Sequence, residues 1–256
     1  MIEVVSLVNF DNKKRVQYLE KSFASFHKFN PIGVRHIVFD SSKDITEQKV
    51  FYDKHNIELY HLPNCSYVDR LKHVYDVVKN DYFVFLPDDF VWILDYPIEK
   101  AIEAARHSNV MQIKLSCRGM QWFSEKNPEP MSWYDDNKLI SGELLVKEGK
   151  CYVSKRWWYR NFHEQFSLAA TITNGKFLNE TIRAIQSGIN SPGAVEKKAY
   201  IKLLFKPYYT GYYDMLIPAF HFCDSDVEGK AKEYTTKDML IENNYESYNS
   251  LFNDRG

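Results

Sequence analysis

The chain has no glycine before Gly33. A first strand over Val4 to Val8 therefore cannot run into G-x-G-x-x-G or G-x-x-x-x-G-K-[ST], the loops that hold phosphates with glycine backbone. The turn after it, Asn9 to Lys14, is polar instead. Any phosphate bound here must be held by side chains and a metal. Cysteine is equally sparse: Cys65, Cys117, Cys151 and Cys223 are scattered, with no C-x-x-C pair. That argues against a disulfide framework or a zinc site and for a reducing compartment. No apolar run approaches the roughly 20 residues of a membrane span. The opening Met1 to Val8 is too short, and wrongly charged, for a signal peptide. Net charge is −1 and no long basic run occurs, which disfavours nucleic acid as a partner. Together these absences predict a cytoplasmic protein without a transmembrane segment.

The most informative stretch present is Asp81-Tyr82-Phe83-Val84-Phe85-Leu86-Pro87-Asp88-Asp89-Phe90. Tyr82 to Leu86 are all aromatic or aliphatic, as in a buried strand of a parallel sheet. Asp88 and Asp89 follow at its carboxyl end, where open α/β sheets bind ligands. Adjacent carboxylates repel unless a cation or a hydrogen-bond donor offsets them. A hard divalent ion bridging to phosphate oxygens would do so; a simple turn or helix-start pair is the plainer reading.

Around this stretch the first ninety residues alternate strand and helix. Strands are predicted at Val4 to Val8, Val34 to Phe39, Ile57 to Leu62 and Asp81 to Leu86. Val16, Leu19, Phe23 and Phe26 mark a first helix, and residues 43 to 55 a second. Tyr67, Leu71, Val74, Tyr75 and Val78 share one face of a third. This alternation predicts an α/β fold with a mainly parallel, twisted sheet flanked by helices. Beyond it, residues 98 to 107 read as a helix and Val110 to Leu115 as a strand. Short strands are expected at Leu144 to Val146 and Cys151 to Val153. Residues 162 to 190 read as largely helical with a break near Asn174-Gly175, and Pro192 opens a further helix to about Phe205. With no repeat or linker, residues 1 to 256 read as one domain: a nucleotide half (1 to 115), an acceptor half (116 to 226) and a tail (227 to 256).

A strand, a polar turn, a strand ending in Asp, a helix bearing Arg and a strand ending in Asp-Asp, in that order, resemble the nucleotide half of GT-A glycosyltransferases. The inverting, UDP-sugar-dependent family-2 type is the nearest. The resemblance covers residues 2 to 115 well, and 160 to 226 by order of features. It implies that Asn9 and Phe10 line a nucleobase pocket and that Asp40 accepts the uracil N3–H. Arg70 would pair with the base or nearby acids, or else form a surface salt bridge. Asp88 would touch the ribose, and Asp89 would coordinate Mn²⁺ or Mg²⁺ on the diphosphate, where the ion offsets charge on the leaving group.

The same resemblance places a catalytic base on an acidic pair opening a helix after a glycine turn. Glu196 keeps the acid, but Lys197 stands where an Asp is expected; Glu164 is the other candidate. His221, late in the chain, would be a further metal ligand, and imidazole suits Mn²⁺ better than Mg²⁺. Its alternative is a histidine bonded at a sheet edge. Four of the five tryptophans, Trp122, Trp133, Trp157 and Trp158, crowd into residues 120 to 160. Indole faces pack on sugar C–H surfaces, which suits a glycan-like acceptor; a loop-rich half also needs bulky residues for its core.

Three function classes follow. The first is a metal-dependent glycosyltransferase using a UDP-sugar. The second is a protein of the same fold that binds UDP with little or no catalysis. The third is a nucleotidyltransferase, disfavoured because such enzymes need a glycine-rich loop after the first strand. Donor sugar, acceptor, stereochemical outcome and oligomeric state are not written in these residues.

Overall fold

The computed structural model describes residues 1–11, 16–31, 33–92, 95–107, 110–116, 145–148, 151–154, 166–203, 209–213 and 218–221. Four strands and three helices alternate at the start: β1 (Ile2–Val8), α1 (Val16–Phe29), β2 (Val34–Asp40), α2 (Thr46–Lys54), β3 (Glu58–His61), α3 (Tyr67–Val77) and β4 (Tyr82–Phe85). A short β5 (Phe90–Trp92), α4 (Ile98–His107) and β6 (Val110–Lys114) follow. The later elements are β7 (Leu145–Glu148), β8 (Cys151–Ser154), β9 (Thr171–Asn174), α5 (Gly175–Ile182), α6 (Pro192–Leu203), β10 (Tyr209–Tyr213) and β11 (Ala219–His221).

The main sheet has the order β3-β2-β1-β4-β9-β6-β10-β8-β7. β1 runs parallel to β2 and β4, and β2 to β3. β9 runs against both β4 and β6, and β8 against β10. The expected mainly parallel sheet is therefore present, with reversed strands in its second half.

Period-2 alternation divides the core between the two faces. On β4, Tyr82 and Val84 pack with Phe26, Trp92 and α4 residues on one face. Phe83 and Phe85 pack with α3, α5 and α6 on the other. Trp92 is fully buried and meets Phe26 edge-on at 4.9 Å. Truncating such a side chain to alanine costs about 3–5 kcal/mol.

Two sequence expectations need correction. Residues 162–190 were expected to be largely helical, yet Thr171–Asn174 is a strand and α5 begins at Gly175. The β-branched Thr171-Ile172-Thr173 suits a strand buried on both sides, and Asn174 caps α5 by accepting from the Phe177 N–H at 3.0 Å. Tyr75 is expected on the buried face of α3, but it is 42% exposed; the buried stripe takes Val68, Arg70, Leu71 and Val74. The helix is turned so that Arg70 faces the strand ends.

Candidate functional site

The first three N–H groups of α3 find partners within the protein, and the fourth makes the first intrahelical bond to the capping Ser66. Tyr67 N–H donates to Asn190 Oδ1 (3.2 Å) and Val68 N–H to the Ile189 carbonyl (3.0 Å). Asp69 N–H donates to Ser66 Oγ (3.3 Å) and Arg70 N–H to the Ser66 carbonyl (3.0 Å). The Asp69 carboxylate accepts from Ser66 Oγ and from Gly188 N–H, the latter at 3.1 Å. Gly188 sits at φ +86°, where a side chain would be strained. The residues 187–190 thus clasp the start of α3, and this helix end is not a phosphate cradle. The clasp fixes Tyr67 and Arg70.

Arg70 is 6% exposed. Its Nη1 donates to the Val8 carbonyl at 2.6 Å and, more weakly, to that of Phe39 at 3.4 Å, at the carboxyl ends of β1 and β2. Its Nε has no hydrogen-bond partner among the described residues. Burial pulls the guanidinium below its ordinary value, against the opposing pull of Tyr67, Cys65, Asp40 and Asp88. Arginine stays charged even so. Its Cζ lies 5.5 Å from the centre of the Tyr67 ring, within cation–π range.

Asp40 ends β2 and is fully buried. One carboxylate oxygen accepts from Ser42 N–H (2.8 Å) and the Ser42 hydroxyl, the other from the Tyr52 hydroxyl at 2.8 Å. Burial foremost, with Asp40 and Asp88 beside it, pushes the Tyr52 phenol far up. Ser42 Oγ in turn accepts from Phe10 N–H at 2.7 Å. The Phe10 ring is in the core beside Leu19, Phe23 and Tyr52. Asn9 is exposed at the rim and donates to Ser41 Oγ at 3.1 Å.

Residues 87–90 form a tight turn, with Phe90 N–H donating to the Pro87 carbonyl at 3.3 Å. Asp88 within it is 2% exposed and Asp89 is half-buried. β5 then pairs with β11, and the register sets His221 opposite Phe90, the residue after Asp89. The backbone thus brings the late histidine to the acid pair; its side chain lies outside the described residues.

Because β9 is antiparallel to β4, Thr171 pairs with Phe85 and the chain ahead of β9 runs out past the carboxyl end of β4. Leu168 lies on that stretch. Its N–H donates to Glu196 Oε1 at 2.7 Å, and Glu196 on α6 is 7% exposed. The acid from the second half of the chain therefore stands at the same sheet edge as Asp88 and Asp89. Their charges act on Tyr67: burial pushes its phenol up, Arg70 opposes this, and Glu196, Asp89 and Asp88 add to it. Tyr67 was not singled out as a site residue from the sequence, where its spacing reads as core.

Among the described residues, no group of three His, Cys, Asp or Glu side chains is arranged to hold a metal ion. Glu164, Trp122, Trp133, Trp157 and Trp158 lie outside the described residues. No described helix is long and apolar enough to cross a membrane.

No protein-family model matches the sequence, and no curated protein matches it. Solved structures do. S. aureus TarS 1–349 superposes with a TM-score of 0.55 at 12% identity, over 100% of this chain and 74% of that one. The same fragment in complex with UDP-GlcNAc gives 0.54 at 12% identity, over 94% and 66%. Its complex with UDP gives 0.52 at 11% identity, over 94% and 70%.

The fold is GT-A-like.

At these identities the likeness is one of fold. The chain spans about two thirds of the UDP-GlcNAc-bound fragment and 43% of the longer TarS chain. Within the GT-A-like frame, Arg70, Asp88, Asp89 and Glu196 share one sheet edge, while Asn9 stands at its rim. Asp40 and the Phe10 ring lie beneath the surface.

Proposed function

We propose that this chain transfers a sugar from a UDP-sugar donor to a hydroxyl of a glycan-like acceptor. The observation that supports this most directly is Arg70, a buried guanidinium whose Nε lacks a partner among the described residues, at the ends of β1 and β2, where β1 pairs with the strand that runs into Asp88–Asp89. A buried, incompletely bonded cation at the ends of parallel strands suits an anionic or carbonyl-rich ligand. The S. aureus TarS fragment of the same fold was crystallised with UDP-GlcNAc and with UDP.

In this reading Asn9 meets the nucleobase at the rim, and Arg70 offers its unpartnered edge to the base or to nearby acids. Phe10 and Asp40 act from below: Asp40 fixes Ser42 and Tyr52, and Phe10 N–H is tied to Ser42. Asp88 meets the ribose. Asp89 would hold Mn²⁺ or Mg²⁺, with His221 as a further ligand. The acids here are hard oxygen donors, as such ions require, and the diphosphate would complete the set. The ion would supply neutralisation of charge on the departing diphosphate. The acceptor oxygen attacks the anomeric carbon, its proton passes to a carboxylate, and the bond to the nucleoside diphosphate breaks. Glu196 is the first candidate for that carboxylate and Glu164 the second; Trp122, Trp133, Trp157 and Trp158 are the candidates for the acceptor wall.

A second reading has one observation in its favour. Glu196 accepts the Leu168 N–H and so braces the chain ahead of β9, as a structural acid would. A UDP-binding protein with little catalysis would look the same here. UDP release from a panel of UDP-sugars, with and without Mn²⁺ and a glycan acceptor, separates the two. Release by the parent supports transfer; UDP binding without release from any donor supports the second reading.

A further inference from the structure

Three buried serines, Ser6 on β1 and Ser22 and Ser25 on α1, bond the backbone on either side of the Asp88–Asp89 pair. β4 leaves its ladder at Pro87, which has no N–H to give, while Leu86 N–H still bonds the Val5 carbonyl at 2.9 Å. Beyond that point hydroxyls take over. Ser6 Oγ donates to the Leu86 carbonyl at 2.6 Å, and Ser22 Oγ, more loosely, to the Pro87 carbonyl at 3.4 Å. After the pair, Trp92 N–H donates to Ser25 Oγ at 2.9 Å, and Ser25 Oγ donates to the Ser22 carbonyl at 2.9 Å. Behind Ser6 stands His36, its Nε2 3.2 Å from the Ser6 hydroxyl and its Nδ1 without a partner among the described residues. Because the Ser6 proton goes to Leu86, the histidine supplies the other, which puts its hydrogen on Nε2. Alanine would suit α1 better at 22 and 25 and would bury no hydroxyl. The bonds to the acid turn account for serine there.

Resting on the UDP-sugar reading, we propose that Ser6, Ser22 and Ser25, with His36 behind Ser6, are positioning residues for Asp88 and Asp89. They hold the backbone of residues 86–92 so that the two carboxylates keep one place at the sheet edge. The acids repel each other, and the backbone bond that closes their turn, Phe90 N–H to the Pro87 carbonyl, is long at 3.3 Å. The hydroxyls hold what that bond alone would let spread. The same brace fixes β5, whose register with β11 sets His221 opposite Phe90. None of the four touches a ligand; they act through the turn.

Ser6→Ala and Ser22→Ala test this against a core change on the opposite face of the sheet, where buried Ile182 packs with Phe83 and Phe85. Ile182→Val or Ile182→Ala is used, whichever matches the serine variants in melting temperature. Each protein is read by thermal melt, by hydrogen exchange at the Phe90 amide and by calorimetric titration with UDP, with and without Mn²⁺. The expected result is faster Phe90 exchange in the serine variants and a fall in UDP affinity of about tenfold in Mn²⁺, the scale for groups that stand behind a ligand. The Ile182 variant should melt as low and yet keep the parent's UDP affinity and Phe90 exchange. Serine variants that bind UDP as the parent does overturn the proposal, as does an Ile182 variant that loses as much affinity, or a loss of affinity without faster Phe90 exchange. If Ser6→Ala does not fold, Ser22→Ala decides alone, because it leaves the Ser6 and His36 bonds in place. A parent that binds no UDP, with or without Mn²⁺, overturns the functional reading itself, and the role given to the serines falls with it.

Discussion

The Arg70 guanidinium carbon lies 5.5 Å from the centre of the Tyr67 ring, one turn back on the same helix. Through Arg70 the pair reaches the strand-end carbonyls of Val8 and Phe39. It also gives α3 two tasks. The helix packs Val68, Leu71 and Val74 into the core, and it delivers a buried charge to the edge of the sheet.

Arg70 should be more sensitive to shape than to charge. Arg70→Lys keeps the cation but loses the fork that reaches two carbonyls. Arg70→Met should lower stability by about 2–4 kcal/mol, since it strips the donor from Val8 and leaves nearby acids unbalanced. Urea unfolding measures both. UDP affinity should fall at least tenfold in each; a lysine variant that binds as the parent does would assign Arg70 to the fold alone.

Glu196 can be divided into its two possible duties by comparing Gln with Ala. Glu196→Gln still offers an amide oxygen to Leu168 N–H, so stability should change by less than about 1 kcal/mol. Turnover should nevertheless fall about 10²–10⁴-fold if this carboxylate takes the proton. Glu196→Ala should lose both turnover and about 1–3 kcal/mol of stability. A glutamine variant with full turnover removes Glu196 as the base and leaves Glu164 to be tested in the same way.

Much of this was legible in the sequence. The run Tyr82 to Leu86 ending in Asp88-Asp89 marked β4 and its turn, and the absence of early glycine removed the backbone phosphate loops. Arg70 was legible by its place in a helix, though not its depth. What escaped was tertiary. Phe10 sits beside Asn9 in sequence, but its ring enters the core under α1 and α2. Glu196 reads as an ordinary helix acid until Leu168, 28 residues earlier, is seen to need it. β9 was hidden because four residues are too short for periodicity to outweigh helix-like flanks. Its β-branched run and the Asn174-Gly175 helix start were the available signals. The antiparallel course of β9 then carries Leu168, and with it Glu196, to the site.

His36 predicts a pH dependence. It is buried against Phe23 and His27, its Nε2 meets Ser6 Oγ at 3.2 Å, and Ser6 donates to the Leu86 carbonyl at 2.6 Å. Burial, with His27 nearby, pushes it down to about 3. The unfolded chain takes up a proton near pH 6.5 that the folded chain refuses. Stability is therefore full above that value and falls as pH drops from about 6.5 toward 3, by up to about 1.4 kcal/mol per unit. His36→Phe should flatten the decline over this window in urea melts; an unchanged slope would mean that other groups carry it.

The clasp on α3 predicts a second, lower acid transition. Against the cost of burial, bonds from Ser66, Ser187, Gly188 and Lys72 hold the Asp69 carboxyl well below the usual range. Its contribution is present above about pH 4 and is lost as pH falls below it. Asp69→Ala should cost about 1–2 kcal/mol and loosen residues 187–190. Hydrogen exchange should then quicken at the Tyr67 and Val68 amides; unchanged protection there would show that Ser66 and Asn190 suffice.

The most direct test of the account is a UDP titration of the parent and of Asp89→Ala, with and without Mn²⁺, read as the shift in melting temperature. The account predicts that UDP stabilises the parent, that Mn²⁺ enlarges the shift, and that GDP, CDP, TDP and AMP do less. In Asp89→Ala the Mn²⁺ increment should vanish while the fold survives, because the variant relieves repulsion between adjacent acids. A parent that no nucleotide stabilises, with or without Mn²⁺, would contradict the assignment of this sheet edge as a nucleotide-sugar site.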